Sequence, residues 1–232
     1  MVVSIADKPI DCGFVVLVDS GEGFPFNFSN IRADADRSCR PLTIPTVWRS
    51  LGAANGDYSI DGFEPKGRES GWSAGCKECG NRRNVDNRPS VSIERKSLDD
   101  AHATFLGWDE RRERFLRELE NFSTLTMRAV IVESSLEILL RLAPEHGKKT
   151  ASQNRKTLYR SILSWQCSYP VPWFFCDSRR LAEITCFRLL ERFWRKYGKP
   201  YAREQRRIER EQAGQEGLLA AMSDDPTGVS GG

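Results

Sequence analysis

Two apolar, β-branched runs that each end at a carboxylate constrain the fold of this chain more than any other feature. Phe14–Val18 is followed by Asp19, and Met127–Val132 is followed by Glu133. Short runs of this kind, bounded by polar residues, are typical of strands that are buried on both faces of a sheet. We therefore predict buried strands whose carboxyl ends present acidic side chains.

The rest of the chain alternates between strand and helix patterns. Further strands are predicted near Thr43–Arg49, Tyr58–Ile60, Val91–Lys96 and Trp173–Cys176. Helices are predicted at Leu98–Leu106, Asp109–Phe122, Leu136–Leu142, Ser152–Trp165 and Arg179–Tyr197. The apolar side of the last helix is predicted to consist of Leu181, Ile184, Phe187, Leu190 and Trp194. Strands that alternate with helices predict an α/β fold with a mixed central sheet flanked by helices.

Composition narrows the class of protein. The chain has 232 residues, of which 39% are hydrophobic and 29% are charged, and this suits one globular domain with a polar tail. No apolar run is long enough to span a membrane, and the N terminus lacks the cationic start of a secretory signal. We therefore expect a soluble, cytoplasmic protein. Seven scattered cysteines favour reduced thiols over a disulfide framework.

A change of composition at Asp61 predicts a surface insertion over residues 61–90. The segment is rich in Gly and charged residues and has no apolar period, as expected of a loop between strands. Cys76 and Cys79 lie inside it and could supply two of the four ligands of a structural zinc ion. Both a zinc site and free cysteine thiols are compatible with this pattern, and free thiols are favoured. We also predict that the insertion is not required for catalysis.

The C-terminal part of the chain is basic. Between Ser178 and Arg210 there are eleven Lys and Arg residues against four Glu, although the whole chain has a net charge of only +3. Such a stretch suits contact with a polyanion, and a solvated helix face with ion pairs is the alternative. We divide the chain into a domain at 1–200 and a basic helical extension at 201–232, with Met222–Gly232 predicted to be disordered.

Acidic residues and one lysine at predicted strand ends suggest a metal-dependent hydrolytic site. Asp19, Asp57 and Glu94 lie at or beside strand ends, and the alternation of the strand places Lys96 on the same face as Glu94. Mg²⁺ takes one or two carboxylates together with water and phosphate oxygens, and a lysine can position or deprotonate the attacking water. The spacing alone is also compatible with ordinary surface side chains.

A longer string of residues is more specific than that spacing. Gly56-Asp57-Tyr58 is followed by Ile93-Glu94-Arg95-Lys96 and, after three residues, by Asp100. This order resembles the nuclease domain of the XPF/Mus81-type structure-specific endonucleases, in the single-domain form of prokaryotes and phages, which has a restriction-endonuclease-like fold. Further segments that resemble the family are Asp19-Ser20-Gly21-Glu22, Phe24-Pro25-Phe26, Arg112–Phe115 with Glu118, Val130–Glu133 and Val171–Phe193.

The resemblance implies roles for individual residues. Asp57 and Glu94 are implied as ligands of Mg²⁺, for which Mn²⁺ can substitute, and Lys96 as the catalytic lysine. Asp19 and Asp100 are implied as supporting acids, although Asp100 also suits the start of a helix. Residues expected to contact nucleic acid are Arg95 and Arg114, and in the basic stretch Arg203, Arg206 and Arg207.

The chain departs from the family pattern at two places, in the first acidic motif and in the spacing of the later motifs. Gly21 stands where the family has Arg, and the spacing between Asp57 and Glu94 is longer than usual because of the insertion. Glu133 is interpreted as an ordinary strand-end carboxylate. No tandem helix-hairpin-helix domain follows, so we do not expect the substrate choice of the larger relatives to apply.

The implied function is a magnesium-dependent endodeoxyribonuclease. It would hydrolyse branched DNA, or junctions of single-stranded and duplex DNA, in repair or recombination. An inactive DNA-binding or scaffold protein of the same fold is the alternative, and a sequence-specific restriction-type nuclease is a third hypothesis. The complete Asp57, Glu94 and Lys96 set favours the enzyme. DNA is the expected partner, a homodimer stays open, and the expected location is the nucleoid, or the host cytoplasm if the protein is phage-encoded.

Overall fold

A six-stranded mixed sheet forms the centre of the fold. The computed structural model describes residues 8–34, 39–52, 55–65, 88–146 and 148–223. Its strands are β1 (Ile10–Asp11), β2 (Val16–Asp19), β3 (Leu42–Thr43), β4 (Thr46–Arg49), β5 (Tyr58–Ile60), β6 (Val91–Lys96), β7 (Met127–Val132) and β8 (Trp173–Phe175). The central sheet has the order β4-β2-β5-β6-β7-β8, and β1 pairs with β3 in a separate two-stranded sheet.

Helices cover both faces of the central sheet. They are α1 (Leu98–Leu106), α2 (Arg111–Phe122), α3 (Leu136–Arg141), α4 (Ala151–Ser168), α5 (Arg179–Phe193) and α6 (Lys199–Ser223), with a 3₁₀ turn at Trp108–Glu110 and a π-helical turn at Trp194–Gly198. On one face, α5 closes a core with Phe187 and Leu190. On the other face, α1, α2 and α4 close a second core with Phe105, Phe115 and Leu158. The predicted α/β class is therefore confirmed.

The directions of the strands bring distant acidic residues to one edge of the sheet. β5 runs antiparallel to both of its neighbours, β2 and β6, so the start of β5 lies at the same edge as the ends of β2 and β6. Asp57 immediately precedes β5, Asp19 ends β2, and Lys96 ends β6. β7 is parallel to β6, so Glu133, the residue after β7, follows at the same edge.

Most of the predicted elements are confirmed, but one detail of helix packing is wrong. Leu181 was expected on the apolar side of the last helix, yet it is 44% exposed. The helix buries Phe187 and Leu190 as predicted, but it buries Ala182 and Cys186 rather than Leu181. Each residue turns the helix by about 100°, so a helix that seats Ala182 against the sheet turns Leu181 toward solvent.

Phe63, near the start of the predicted insertion, belongs to the core. Phe63 is 6% exposed, and its ring packs edge-on against Phe193 and Trp194. A single aromatic residue among polar neighbours produces no period, so the sequence pattern could not detect it. Residues 66–87, with Cys76 and Cys79, lie outside the described residues, and so do residues 224–232 of the predicted tail.

The end of the described chain is a long helical segment. α5 continues through the π-helical turn into α6, so the predicted boundary at residue 200 falls within helix. The cysteines of the described residues form no disulfide with one another, and they are Cys12, Cys39, Cys167, Cys176 and Cys186. A helix with the length and apolar character needed to cross a membrane is absent from the described part of the chain.

Candidate active site

An open cleft of about 610 Å³ lies where the ends of β2 and β6 meet the start of β5. Every residue that the sequence suggested for catalysis lines this cleft, as does Arg114. Its charged lining residues are the acids Asp19, Glu22, Asp57, Glu94, Asp100 and Glu118 and the bases Arg95, Lys96 and Arg114. Acids outnumber bases, so the cleft by itself would repel a polyanion.

Steric crowding explains why the residue before Asp57 is a glycine. Gly56 has a φ of +77°, and a Cβ atom there would lie 2.6 Å from Ser92 Oγ and 2.7 Å from Phe122 Cζ. Only glycine fits a left-handed position with so little space. The following Asp57 donates its N–H to the Ile93 carbonyl at 2.9 Å, and its own carbonyl accepts from the Asp19 N–H at 2.8 Å. Gly56 therefore lets the backbone of Asp57 lie between β2 and β6.

Asp57 and Glu94 form the acidic centre of the cleft. Asp57 Oδ2 accepts the backbone N–H of Arg95 at 2.7 Å, and Glu94 Oε1 accepts from Lys96 Nζ. Burial and the negative charge of Glu94 raise the pKa of the Asp57 carboxyl well above its ordinary value, against the opposing effect of Lys96. Two carboxylates held this close favour the binding of a further positive charge.

Lys96 is a buried ammonium enclosed by carboxylates. It is 3% exposed, its Nζ lies 3.2 Å from Asp100 Oδ2, and it stands 5.1 Å from the centre of the Phe115 ring. Burial lowers the pKa of Lys96, but the charges of Glu94 and Asp100 outweigh burial and raise it above its ordinary value. The side chain is therefore a fixed positive charge in the described structure.

Asp100 lies at the start of a helix and also pairs with Lys96. It lies in the first turn of α1, where Ser97 caps the helix and accepts the Asp100 N–H at 3.2 Å. Its carboxylate also accepts from Arg111 at 2.8 Å through Oδ1 and pairs with Lys96 through Oδ2. Asp100 therefore both starts the helix and holds the lysine.

Glu118 is a site residue that sequence reasoning did not include among the catalytic candidates. Its side chain is 9% exposed, and Oε1 lies 3.7 Å from Arg114 Nε. Oε2 is buried and has no hydrogen-bond partner among the described residues. Burial and the charge of Glu94 raise the pKa of Glu118 to about 8. The signal was its position three residues after Phe115, which places it on the buried stripe of α2.

Arg95 joins the cleft to the neighbouring loops through its side chain. The guanidinium is 8% exposed and donates to Glu133 at 2.7 Å and to Glu22 at 3.0 Å. Glu133 also accepts from Arg179 at 2.8 Å. The nucleic-acid contact by Arg95 stays a prediction. In the structure, the Arg95 side chain is already bonded to these two carboxylates. Glu133 is more than a strand-end acid, since it links β7 to α5.

Asp19 supports the cleft through the backbone. Its Oδ1 accepts the Leu51 N–H at 2.7 Å, and its Oδ2 accepts the Gly21 N–H at 2.8 Å. A Cβ atom at Gly21 would lie 2.9 Å from Asp19 Oδ2. Glycine at this position therefore matches the close approach of the Asp19 carboxylate, and Asp19 fixes the loops that border the cleft.

The acidic centre fits a hard divalent cation with few protein ligands. Within the described residues, Asp57 Oδ1 and Glu94 Oε2 accept no hydrogen bond, so each carboxylate keeps an oxygen for a ligand. A group of three or more His, Cys, Asp or Glu side chains placed to hold a metal is not found in the described ranges. A cation here would use Asp57 and Glu94 and complete its coordination with water and phosphate oxygens, as Mg²⁺ commonly does.

The basic side chains of the C-terminal helices divide into two groups. In α5, Arg179, Arg180 and Arg188 are bonded to other parts of the protein. Arg195, in the turn after α5, pairs with Glu191 of the same helical segment. In α6, Arg203, Arg206 and Arg210 are exposed and make no ion pair with a described residue, whereas Arg207 pairs with Glu204 at 2.6 Å. Arg203, Arg206 and Arg210 of α6 are therefore available for phosphate, as is Arg192 of α5, which is also exposed and makes no ion pair with a described residue.

Comparisons with known proteins found a distant structural likeness. No protein-family model and no curated protein matches the chain. Among solved structures, XPF from Aeropyrum pernix is similar over 81% of this chain and 68% of that chain, with a TM-score of 0.40 and 15% sequence identity. This similarity is too distant to carry an argument about activity.

Proposed function

We propose that this protein is a metal-dependent DNA endonuclease that hydrolyses branched DNA or junctions of single-stranded and duplex DNA, in repair or recombination. One observation carries the proposal: Asp57, Glu94 and Lys96, which come from neighbouring strands, line one cleft. The family resemblance of the Gly-Asp and Glu-Arg-Lys motifs supplies the substrate class.

The side chains of the cleft suit phosphodiester hydrolysis. Asp57 and Glu94 would hold Mg²⁺, which supplies Lewis-acid polarisation of the phosphate and a more acidic bound water. Lys96 is fixed by Glu94 and Asp100, so it can orient the attacking water and offset the charge that develops on phosphate. Arg114, whose side chain is 57% exposed, can bind a neighbouring phosphate of the same strand.

The electrostatics of the cleft favour the enzyme over an inactive scaffold. Burial beside Glu94 raises the pKa of the Asp57 carboxyl, which means that the ionised form is destabilised in the folded protein. A protein that only gripped DNA would bind it better without this acidic centre. Perturbed acids in a cleft are typical of catalytic sites.

The test is cleavage of labelled flap, fork, four-way-junction and linear DNA with Mg²⁺ or Mn²⁺. Wild-type protein should cleave a branched substrate. Asp57→Asn should lower the rate by about 10³-fold or more, because a bound metal ion stabilises the transition state of phosphate hydrolysis by several kcal/mol. Asn at this position can still accept the Arg95 N–H, so the fold should persist. DNA affinity without divalent metal should stay level or rise.

Asp61→Asn is the matched control, since Asp61 is an exposed acid that pairs with Arg49 at 2.8 Å and does not line the cleft. It should cleave at the wild-type rate. Full activity of Asp57→Asn would show that the chemistry lies elsewhere. Tight DNA binding by wild-type protein without cleavage of any substrate would favour the scaffold.

A further inference from the structure

The two phenylalanines of Phe24-Pro25-Phe26 lie in opposite environments. Phe26 is 3% exposed, and its ring stacks on Tyr58 with 5.1 Å between centroids. Phe24 is 79% exposed, the largest value for a large apolar side chain among the described residues, and it lines the cleft. Phe26 therefore has a packing role, while the ring of Phe24 is presented to solvent beside the acidic centre.

The backbone that presents Phe24 is held firmly. The Phe24 N–H donates to Glu22 Oε1 at 2.8 Å, and the Phe24 carbonyl accepts from Arg179 at 2.7 Å. The next residue is Pro25, which restricts the backbone of Phe24 to extended conformations. Phe24 is thus an exposed ring on a braced segment, unlike an apolar side chain on a loose loop.

The same contacts tie Phe24 to the proposed metal ligands. Glu22 accepts from the Arg95 guanidinium at 3.0 Å, and the backbone N–H of Arg95 donates to Asp57 at 2.7 Å. Glu22 and Arg95 therefore connect the Phe24 segment to Asp57 through charged and backbone hydrogen bonds. The backbone of Phe24, from which the ring projects, therefore keeps a defined position relative to the acidic centre.

We propose that Phe24 is a stacking platform for an unpaired nucleobase at the cleft, an inference that rests on the proposed function and deepens it. An exposed aromatic face gains free energy when another flat apolar face covers it, and every nucleobase offers such a face. Inside a continuous duplex the neighbouring base pairs already cover both faces. Phe24 therefore selects DNA whose base at the cleft is unpaired and unstacked.

The test is a coupling measurement between the ring and the base. Affinity of the full chain is measured without divalent metal on a splayed-arm fork, and on forks with an abasic nucleotide at successive positions along each unpaired arm. The proteins compared are wild type, Phe24→Ala, Phe24→Trp and Tyr159→Ala. Tyr159 is a matched control because it is 46% exposed on α4 and does not line the cleft.

At one position of the fork, the abasic nucleotide should lower wild-type affinity by roughly 10-fold, the usual effect of losing one stacked base. Phe24→Ala should bind the intact fork about as weakly, and the abasic nucleotide should then cost nothing more. Phe24→Trp should keep the dependence on the base, and Tyr159→Ala should match wild type. Affinity for continuous duplex should be the same for wild type and Phe24→Ala.

Several outcomes would overturn the platform. One is that Phe24→Ala and the abasic nucleotide lower affinity additively at every position of the fork. Another is that Phe24→Ala lowers affinity for continuous duplex as much as for the fork. A change from dimer to monomer in Phe24→Ala would assign the ring to a contact with a second copy. If no DNA is cleaved but the coupling is present, the proposed function fails and the platform stands. If DNA is cleaved without coupling, only the platform fails.

Discussion

The cleft and helix α6 both concentrate charge, but they hold it in opposite ways. In the cleft, Glu94 and Lys96 are 4% and 3% exposed and are bonded to each other. In α6, Arg203 and Arg206 are exposed and make no ion pair with a described residue. A buried charge depends strongly on each partner, whereas exposed charges act nearly independently and are screened by salt.

This difference suggests that the two regions have separate functions. The cleft has more acids than bases, so it is suited to holding a cation rather than to attracting DNA. The exposed arginines of α6 are suited to attracting phosphates whatever the base sequence. Single substitutions in the cleft should therefore change the rate of cleavage, and grouped substitutions in α6 should change affinity and its salt dependence.

The largest effect that would sharpen this comparison is expected for Lys96→Ala. The cleavage rate at saturating DNA should fall by about 10²-fold or more, because no side chain then orients the attacking water. Metal affinity should stay level or rise, since a positive charge next to Glu94 is lost. The salt dependence of DNA binding should not change.

Single-turnover cleavage and metal titration measure these effects, and the melting temperature reports on folding. Lys199→Ala is the control, since Lys199 is exposed at the start of α6. A folded Lys96→Ala protein that cleaves at the wild-type rate would remove the lysine from the mechanism.

An intermediate effect is expected when Arg203, Arg206, Arg207 and Arg210 are all changed to Ala. Each phosphate contact that is lost should reduce the slope of log affinity against log salt by about 0.9. The rate at saturating DNA should stay near that of wild type. Arg207 should contribute least, because it already pairs with Glu204.

The measurement is duplex affinity across a series of salt concentrations, with Arg141→Ala in α3 as the control. Arg141 is an exposed arginine that lies 3.5 Å from Glu137. An unchanged slope in the fourfold variant would show that these four arginines do not bind DNA phosphates. The proposed separation of functions between the cleft and α6 would then be wrong.

The smallest effect concerns Glu118 and pH. Its pKa is raised from 4.5 to about 8 in the folded protein, so between these values the native state holds a proton that the unfolded state has released. Wild-type stability should therefore fall as pH rises through this window and level off above it. Glu118→Gln mimics the protonated acid, so it should gain stability relative to wild type as pH rises.

Urea unfolding without divalent metal, measured at several pH values, checks this expectation. Glu113→Gln is the control, because Glu113 is exposed on the same helix and should follow the wild-type curve. Parallel stability curves for wild type and Glu118→Gln would mean that the pKa of Glu118 is not raised in the folded protein.

Local sequence patterns were sufficient to predict much of the fold and of the site. Strand Val91–Lys96 follows from the alternation of its residues, and the motifs around Asp57 and Glu94 drew attention to the residues that line the cleft. Phe63 and Leu181 were not predicted correctly, because one aromatic residue has no period and a helix stripe does not specify its exact rotation. The burial of Glu118 was signalled only by its spacing from Phe115.

The sequence by itself determined the strands, the helices and the acidic and basic residue types available for a site, because these depend on periodicity and on near neighbours in the chain. Only the tertiary structure decided which of these residues meet. The antiparallel direction of β5 brings Asp57 to the edge that carries Lys96, and Arg95 is drawn inward by Glu22 and Glu133. Phe24 and Phe26, two residues apart, differ because only Phe26 has a partner across the fold in Tyr58. Such contacts join distant segments, and no local pattern encodes them.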